Sequence, residues 1–356
     1  MDVVVIGAGQ AGLSAAYWLR RRGLSFVVLD ADAAPGGAWR HRSPSLDVSA
    51  LHRIFDLPGY PFTPPASGPA AAVVPAYFRT YESRHALPVL RPVTVHSVSR
   101  AGESLLVEAS GGDHLTRAVI NATGTWRSPY GPYYPGIADF SGHQRHYAQY
   151  RGPDEFAGRR VLVVGGGNSA IHLLAELPDA YWVTRREPVF HDAEFTAEYG
   201  RTVVAKVAER VEAGLPPRSV VSVTGLGYTA LARRALRRGA LVRHPMFDRL
   251  VRGGAMWGDH FEPFDAIIWA TGFRAALSHL APLHLREPGG GVRMAGTRVV
   301  REPRLHLVGY GPSASTVGAN RAGRAAVHEL SALLAPPVGI TPPLLNLDGR
   351  VRGSRH

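Results

Sequence analysis

With 356 residues, 45% hydrophobic and 19% charged, the chain is long and apolar enough for two globular domains with separate cores. It contains no cysteine, which excludes disulfide stapling, thiolate metal sites and redox-active dithiols. The net charge of +12 is almost wholly arginine, Lys206 being the single lysine; with no nucleic-acid-binding motif beside it, it predicts a solvated surface and no nucleic-acid partner.

Taken in chain order, Met1-Asp2 leads into the apolar run Val3–Ile6, so no leader peptide is expected and the predicted location is cytoplasmic. The run reads as a strand and opens onto Gly7-Ala8-Gly9-Gln10-Ala11-Gly12. A helix is predicted over Ala11–Arg22, stopping before Gly23, and a second strand, Phe26–Leu29, is closed by Asp30. In such a unit the glycines let the backbone approach a pyrophosphate resting on the helix N-terminus, and the acid accepts hydrogen bonds from a ribose. Gly7, Gly9, Gln10, Gly12 and Asp30 are therefore candidate contacts to an adenosine dinucleotide.

Pro35-Gly36-Gly37-Ala38-Trp39-Arg40 follows, then a Pro-rich stretch to Pro75 that predicts irregular structure. Pro75–His85 reads as a helix, and Val89–Val98, Ser104–Ala109 and Arg117–Asn121 as strands, the last running into Ala122-Thr123-Gly124. A second unit opens at Arg159: strand Val161–Val164, turn Gly165-Gly166-Gly167-Asn168-Ser169-Ala170, helix Ser169–Leu177, strand Tyr181–Thr184. Here Gly165, Gly167, Asn168 and Ser169 are the candidate contacts, with helix capping alone a sufficient explanation for Asn168 and Ser169. This strand ends in Arg185-Arg186 rather than an acid, and paired guanidinium forks suit a 2′-phosphate. Opposite charge after the two fingerprints predicts two different dinucleotides, of which FAD and NADPH are the simplest pair.

Ala266–Ala270 predicts a buried strand entering Thr271-Gly272-Phe273, Arg304–Val308 the last strand, and Ala314–Leu334 a closing helix. The Pro-rich tail after Pro336 receives no function. The sixteen histidines lack the paired spacing of a metal site, so no metal is expected. No apolar run reaches the roughly 20 residues of a membrane helix, so no membrane partner is expected either.

The fold class expected is α/β, with two doubly wound Rossmann-like dinucleotide-binding domains, the NADPH domain inserted in the FAD domain. The boundaries are 1–124 and 271–356 for the FAD domain, 125–157 for a linker and 158–270 for the NADPH domain. Ala122-Thr123-Gly124 and Ala270-Thr271-Gly272 stand at the two crossovers, where small residues let the backbone turn close to a cofactor.

With these pieces in order, the chain resembles the flavin-containing monooxygenases, group B flavoproteins, and in particular their short bacterial members. The carrying features are both fingerprints, Gly36-Gly37-Ala38-Trp39, the two Ala-Thr-Gly segments, and Phe140-Ser141-Gly142 with His146 and Tyr150 between the domains. The resemblance implies FAD and NADPH as cofactors, O2 and a small molecule as partners, and a C4a-(hydro)peroxyflavin that oxygenates a sulfide, an amine or, by Baeyer–Villiger attack, a ketone. It places Gly37, Ala38, Trp39 and Arg40 along the flavin, and Gly309 and Tyr310 at the strand–helix turn aimed at its pyrimidine edge. It also implies that 46–61 walls the active site, where Ser49 and His52 stand in place of an asparagine found in larger relatives. They are the candidate catalytic side chains. An NADPH-dependent reductase or oxidase without oxygen transfer, and a non-catalytic redox sensor, stay open as alternatives. A homodimer is the default oligomer.

Overall fold

The computed structural model describes residues 1–51, 56–177, 179–191, 197–218 and 221–335. The chain begins with strand β1 (Val3–Ile6), helix α1 (Gln10–Arg21) and strand β2 (Phe26–Leu29). All four side chains of β1 are buried. Val3 and Val5 face Leu13 and Leu19, while Val4 and Ile6 face Val98, Leu105 and Val107, so both faces are covered and the strand reads as an unbroken apolar run. Gly23, at φ +68°, terminates α1. Its N–H bonds the Arg20 carbonyl and that of Leu24 bonds Leu19, satisfying the last carbonyls of the helix.

Helix α2 (Ala70–Arg84) starts five residues before the expected Pro75, because Pro69 occupies the N-cap position and Pro75 sits inside the second turn. The expected strand 89–98 is two strands. β3 (Val89–Leu90) joins β2 in parallel, and β4 (Val95–Ala101) pairs antiparallel with β5 (Ser104–Ala109), which pairs with β6 (His114–Thr116). Pro92, which cannot donate to a ladder, lies between the two. β7 (Ala118–Asn121) returns beside β1.

The second sheet opens with β8 (His143–His146), then β9 (Val161–Val164), α3 (Asn168–Glu176), β10 (Tyr181–Thr184) and β11 (Phe190–His191). Helices α4 (Ala197–Glu212), α5 (Val221–Thr224) and α6 (Ala230–Arg237) follow, with β12 (Leu226–Gly227) before α6 and β13 (Arg243–Pro245) after it. β14 (Arg249–Val251), β15 (Gly254–Trp257) and β16 (His260–Pro263) form a small antiparallel sheet, and β17 (Ala266–Trp269) completes the unit. The chain closes with β18 (Met294–Ala295), β19 (Arg298–Val299), β20 (Glu302–Leu307) and α7 (Thr316–Leu334).

Two sheets carry the molecule. The first has the order β18-β19-β20-β7-β1-β2-β3, parallel from β20 onward, and the second is β13-β10-β9-β17-β8, parallel throughout. Every strand of the second lies, along the chain, between β7 and β18 of the first. The two-domain α/β architecture with Rossmann-like sheets is thus as expected. α7 packs on α1 closely enough that a Cβ on Gly323 would lie 2.8 Å from the Ala15 nitrogen.

Candidate functional site: two glycine turns at the strand ends

In the first turn, Gly7 has φ +100° and a Cβ there would stand 2.7 Å from the Ala122 carbonyl oxygen. A Cβ on Gly12 would stand 1.9 Å from the Gly7 oxygen. These two glycines are required by the protein's own packing. Gly9 differs: it is the N-cap of α1 at φ −78°, and a Cβ there meets nothing within 4 Å. The turn is therefore tight where strand meets helix and open where the helix N–H groups face outward, as a pyrophosphate requires. Gln10 is buried in the first helical turn.

Asp30 ends β2, buried, with Oδ2 accepting from Arg91 Nε at 2.9 Å. Arg91 also holds Glu82 by two bonds of 2.7 and 2.6 Å. Among the described residues Asp30 Oδ1 has only a 3.4 Å contact from the Asp32 N–H, so it can accept from a ribose hydroxyl. Asp32 is bonded by His41 Nε2 at 3.0 Å and Arg127 at 2.6 Å. Burial raises its carboxyl, but these two partners outweigh burial and hold it below the usual range.

Gly37–His41 forms one 3-10 turn whose first residue, at φ +50°, would put a Cβ 2.8 Å from the Gly9 Cα. That contact brings Gly37, Ala38 and Trp39 beside the first fingerprint. Arg40 donates to the Ala34 carbonyl at 2.7 Å and so pins its own loop. Gly309 packs 3.6 Å, by its notional Cβ, from the Ala11 side chain, which sets Tyr310 and the start of α7 next to the same turn. Ser315 caps α7 through a 3.0 Å bond from the Gly318 N–H.

The second turn repeats the geometry. Gly165, at φ +140°, would drive a Cβ to 2.2 Å from the Ala270 oxygen, and Gly167 is open. The Gly165 carbonyl accepts from Trp182 Nε1 at 2.7 Å, tying the turn to β10. The capping expectation for Asn168 and Ser169 is corrected: Gly167 is the N-cap, with no side-chain cap, because both polar residues already lie inside the helix. Arg185 and Arg186 are exposed just past β10, and neither is paired with a carboxylate among the described residues. Thr184 donates to the Arg186 carbonyl at 2.7 Å, and Arg243 donates to the Thr184 hydroxyl at 3.1 Å and carbonyl at 3.0 Å.

Both crossovers are anchored by their threonines. Thr123 donates to the Ala276 carbonyl at 2.7 Å and Thr271 to the Tyr130 carbonyl. Ala122 and Ala270 are the residues whose carbonyls crowd Gly7 and Gly165, while Gly124 and Gly272 take positive φ. His146 donates from Nε2 to the Gly272 carbonyl at 3.0 Å and accepts the Ala148 N–H at 3.1 Å, so it holds the linker to the second crossover. Burial lowers its pKa, with the Gly272 bond acting in the other direction.

Of the two candidate catalytic side chains, Ser49 is exposed and donates to Asp47 at 2.5 Å, in a turn where Asp47 also accepts the Ser49 and Gly68 N–H groups. That hydroxyl is occupied by local structure. His52 lies outside the described residues. Two cavities of about 350 and 340 Å³ sit elsewhere, one beside Gly142 and Arg160 and one beside Leu280 and His284, and neither touches a fingerprint turn. Among the described residues no cluster of three or more His, Asp or Glu is placed to hold a metal, and no helix is long and apolar enough to cross a membrane.

One group escaped sequence reasoning. His172 Nε2 donates to Glu176 Oε1 at 3.1 Å, and Glu176 Oε2 accepts from Tyr150 at 2.6 Å and Ser45 at 2.9 Å. Tyr147 bonds His172 Nδ1 at 2.9 Å. Burial acts to raise the Glu176 carboxyl, and its three donors hold it below the usual range instead. The available signal was the His-Glu pair four residues apart on one apolar helix.

A family model described as pyridine nucleotide-disulphide oxidoreductase matches residues 4–217. An uncharacterized oxidoreductase of Bacillus velezensis is 31% identical over 194 residues, covering 53% of this chain and 56% of its own length. An indole-3-pyruvate monooxygenase of Oryza sativa subsp. japonica is 34% identical over 181 residues, 49% of this chain and 44% of its own. The chain spans about half the length of these curated relatives. A solved flavin-containing monooxygenase from Stenotrophomonas maltophilia is 41% identical, superposes with a TM-score of 0.81, and the match covers 94% of this chain and 99% of that one.

Proposed function

The chain belongs to the flavin-containing monooxygenases, and from that premise we propose that it is an FAD-dependent, NADPH-consuming monooxygenase acting on a sulfide, an amine or a ketone. The observation that carries this reading is the pair of turns: each has glycine that its own packing demands, Gly7 and Gly12 in the first and Gly165 in the second, and one glycine, Gly9 or Gly167, left open at a helix N-terminus. That pattern fits two bound pyrophosphates. A domain arrangement of 1–124 with 271–356 around 158–270, joined by 125–157, accompanies the proposal.

When bound, FAD supplies hydride acceptance from the nicotinamide and the activation of O2. The chain's residues do the rest. Gly7, Gly9, Gln10 and Gly12 would hold the FAD pyrophosphate, Asp30 Oδ1 the ribose, and Gly37, Ala38, Trp39 and Arg40 the flavin side. The N-terminus of α7, after Gly309-Tyr310, would stabilise negative charge on reduced flavin through its dipole. Gly165, Gly167, Asn168 and Ser169 would hold the second pyrophosphate; the absence of a capping role for the last two supports this. Arg185 and Arg186, exposed and without carboxylate partners among the described residues, suit a 2′-phosphate and hence NADPH. Ala122, Thr123, Gly124, Ala270, Thr271 and Gly272 would carry the backbone close past the cofactors while excluding water from the reacting face. Ser49 and His52 remain proposals for proton handling, with Ser49 the weaker because Asp47 engages it.

The test is turnover with NADPH against a panel of sulfides, ketones and amines, measuring oxygenated product and peroxide together. Oxygenated product in step with NADPH consumption supports the monooxygenase. Stoichiometric H2O2 without product favours the oxidase alternative, and no NADPH oxidation at all favours the sensor.

A further inference from the structure

We propose that Arg243 is a positioning residue for nicotinamide-nucleotide selectivity: through Thr184 it fixes the bend that carries Arg185 and Arg186. The inference rests on the reading above that these two arginines take a 2′-phosphate. β13 lies parallel to β10, with Arg243 opposite Trp182 and Pro245 opposite Thr184. From there the Arg243 guanidinium reaches to the end of β10, where Nε donates to the Thr184 hydroxyl at 3.1 Å and Nη2 to the Thr184 carbonyl at 3.0 Å.

Proton placement decides what the pair does. A guanidinium only donates, so the Thr184 hydroxyl oxygen accepts from Arg243 and its single proton is left for another acceptor. That proton goes to the Arg186 carbonyl, at 2.7 Å. The chain is thereby drawn back on itself at the strand end, with the Arg186 carbonyl turned toward Thr184 and the Arg185 and Arg186 side chains exposed. Thr184 is itself 3% exposed, and a Cβ on Gly166 would stand 3.5 Å from its methyl carbon. One threonine thus stands against the second glycine turn by its methyl, holds the arginine bend by its hydroxyl, and is tied to the neighbouring strand by Arg243.

This arrangement suits selectivity rather than general affinity. A guanidinium fork meets a phosphate bidentately only when its direction is right. A backbone held beforehand also reduces the ordering that binding must impose on long, exposed side chains. A nucleotide lacking the 2′-phosphate makes no use of the bend, so its binding should be indifferent to Arg243. Arg243 and Thr184 act through Arg185 and Arg186, and neither needs to reach the nucleotide.

The experiment uses the FAD-loaded protein with Arg243→Met, which keeps the stem and removes the donors, and Thr184→Val, which keeps the shape and every charge but removes the hydroxyl. Thr184→Ser restores the hydroxyl and is the conservative control. Calorimetric titration with adenosine 2′,5′-bisphosphate and with 5′-AMP reads the 2′-phosphate directly. Steady-state kcat/KM with NADPH and NADH reads the preference, and thermal unfolding reads folding. Losing the hydrogen bonds behind the bend should weaken the bisphosphate by about three- to tenfold in Arg243→Met and in Thr184→Val, with 5′-AMP within about twofold. The preference for NADPH over NADH should fall alongside, and Thr184→Ser should stay close to wild type. Bisphosphate affinity within about twofold of wild type in both folded variants would overturn the proposal. So would equal weakening of 5′-AMP, the mark of a merely structural role. Weakening in Arg243→Met without weakening in Thr184→Val would overturn it too, since Arg243 would then act on the phosphate by its own charge. If Arg243→Met does not fold, Thr184→Val decides by the same criterion. Wild-type protein that binds the bisphosphate no tighter than 5′-AMP contradicts the NADPH reading itself, whereas tight bisphosphate binding indifferent to both variants contradicts only this inference.

Discussion

At the scale of single residues, the glycines of each fingerprint divide into two kinds that spacing alone could not separate. Gly12 is enclosed by the Gly7 carbonyl, whereas Gly9 faces open space. Gly12→Ala should therefore destabilise the fold by about 1–3 kcal/mol through overpacking. Gly9→Ala should cost no more than about 1 kcal/mol as an N-cap change and yet weaken FAD binding. Thermal unfolding and FAD titration of both variants check this; equal FAD affinity in Gly9→Ala and wild type would count against a pyrophosphate there. Replacing Arg185 and Arg186 by serine removes charge-assisted bonds of about 1.5–3 kcal/mol each, so the preference for NADPH over NADH should fall by about tenfold or more. Steady-state kcat/KM with each nucleotide measures it. The fingerprint residues were legible because strand, turn and helix are consecutive in the chain. The contacts of Ser45, Tyr147 and Tyr150 with His172 and Glu176 were not, since nothing local says that residues so far apart meet on one face of a helix.

Elements were legible wherever both faces of a strand are covered. Val3–Ile6, Phe26–Leu29, Val161–Val164 and Tyr181–Thr184 stand at their expected bounds because continuous apolar runs fit the middle of a parallel sheet. Errors arose where proline has two meanings. Pro75 reads as a helix start, since proline suits the first turn, but Pro69 is the residue at that boundary. Tertiary pairing then decided the split at Pro92. The first sheet carries a testable tie: on β20, Glu302, with a side chain 3% exposed, bonds Arg100 of β4 and Arg304, each at 2.7 Å. Burial raises its carboxyl, but the two arginines hold it below the usual range, so its contribution is present at neutral pH and is lost as pH falls through that depressed value. Since both arginines are partly exposed and can rehydrate, Glu302→Leu should cost about 1–3 kcal/mol, less than breaking a wholly buried pair. Urea unfolding of the variant gives the figure, and an unchanged midpoint would show that the tie contributes nothing.

For the whole molecule, two buried histidines predict how stability depends on pH. His279 donates to Asn121 at 2.7 Å and His306 bonds Thr297 at 2.9 Å, and burial lowers both to about 4. A folded pKa below the unfolded value means that stability is full above about 6.5 and declines as pH falls toward 4. Each histidine should account for about 3 kcal/mol by the end of that range, an order-of-magnitude figure. Unfolding free energies measured from pH 7 to 4 should slope downward, and a flat profile would contradict the burial of these rings. The larger architecture, one parallel sheet whose chain interrupts another, brings two nucleotide turns onto crossovers at Ala122 and Ala270, and this juxtaposition is the central claim. Its most direct test is an anaerobic titration of the FAD-loaded protein with NADPH, followed by visible absorbance. The account predicts one FAD per chain, bleached by one equivalent of NADPH. A chain that takes up no FAD, or whose bound FAD stays oxidised under excess NADPH, would contradict it.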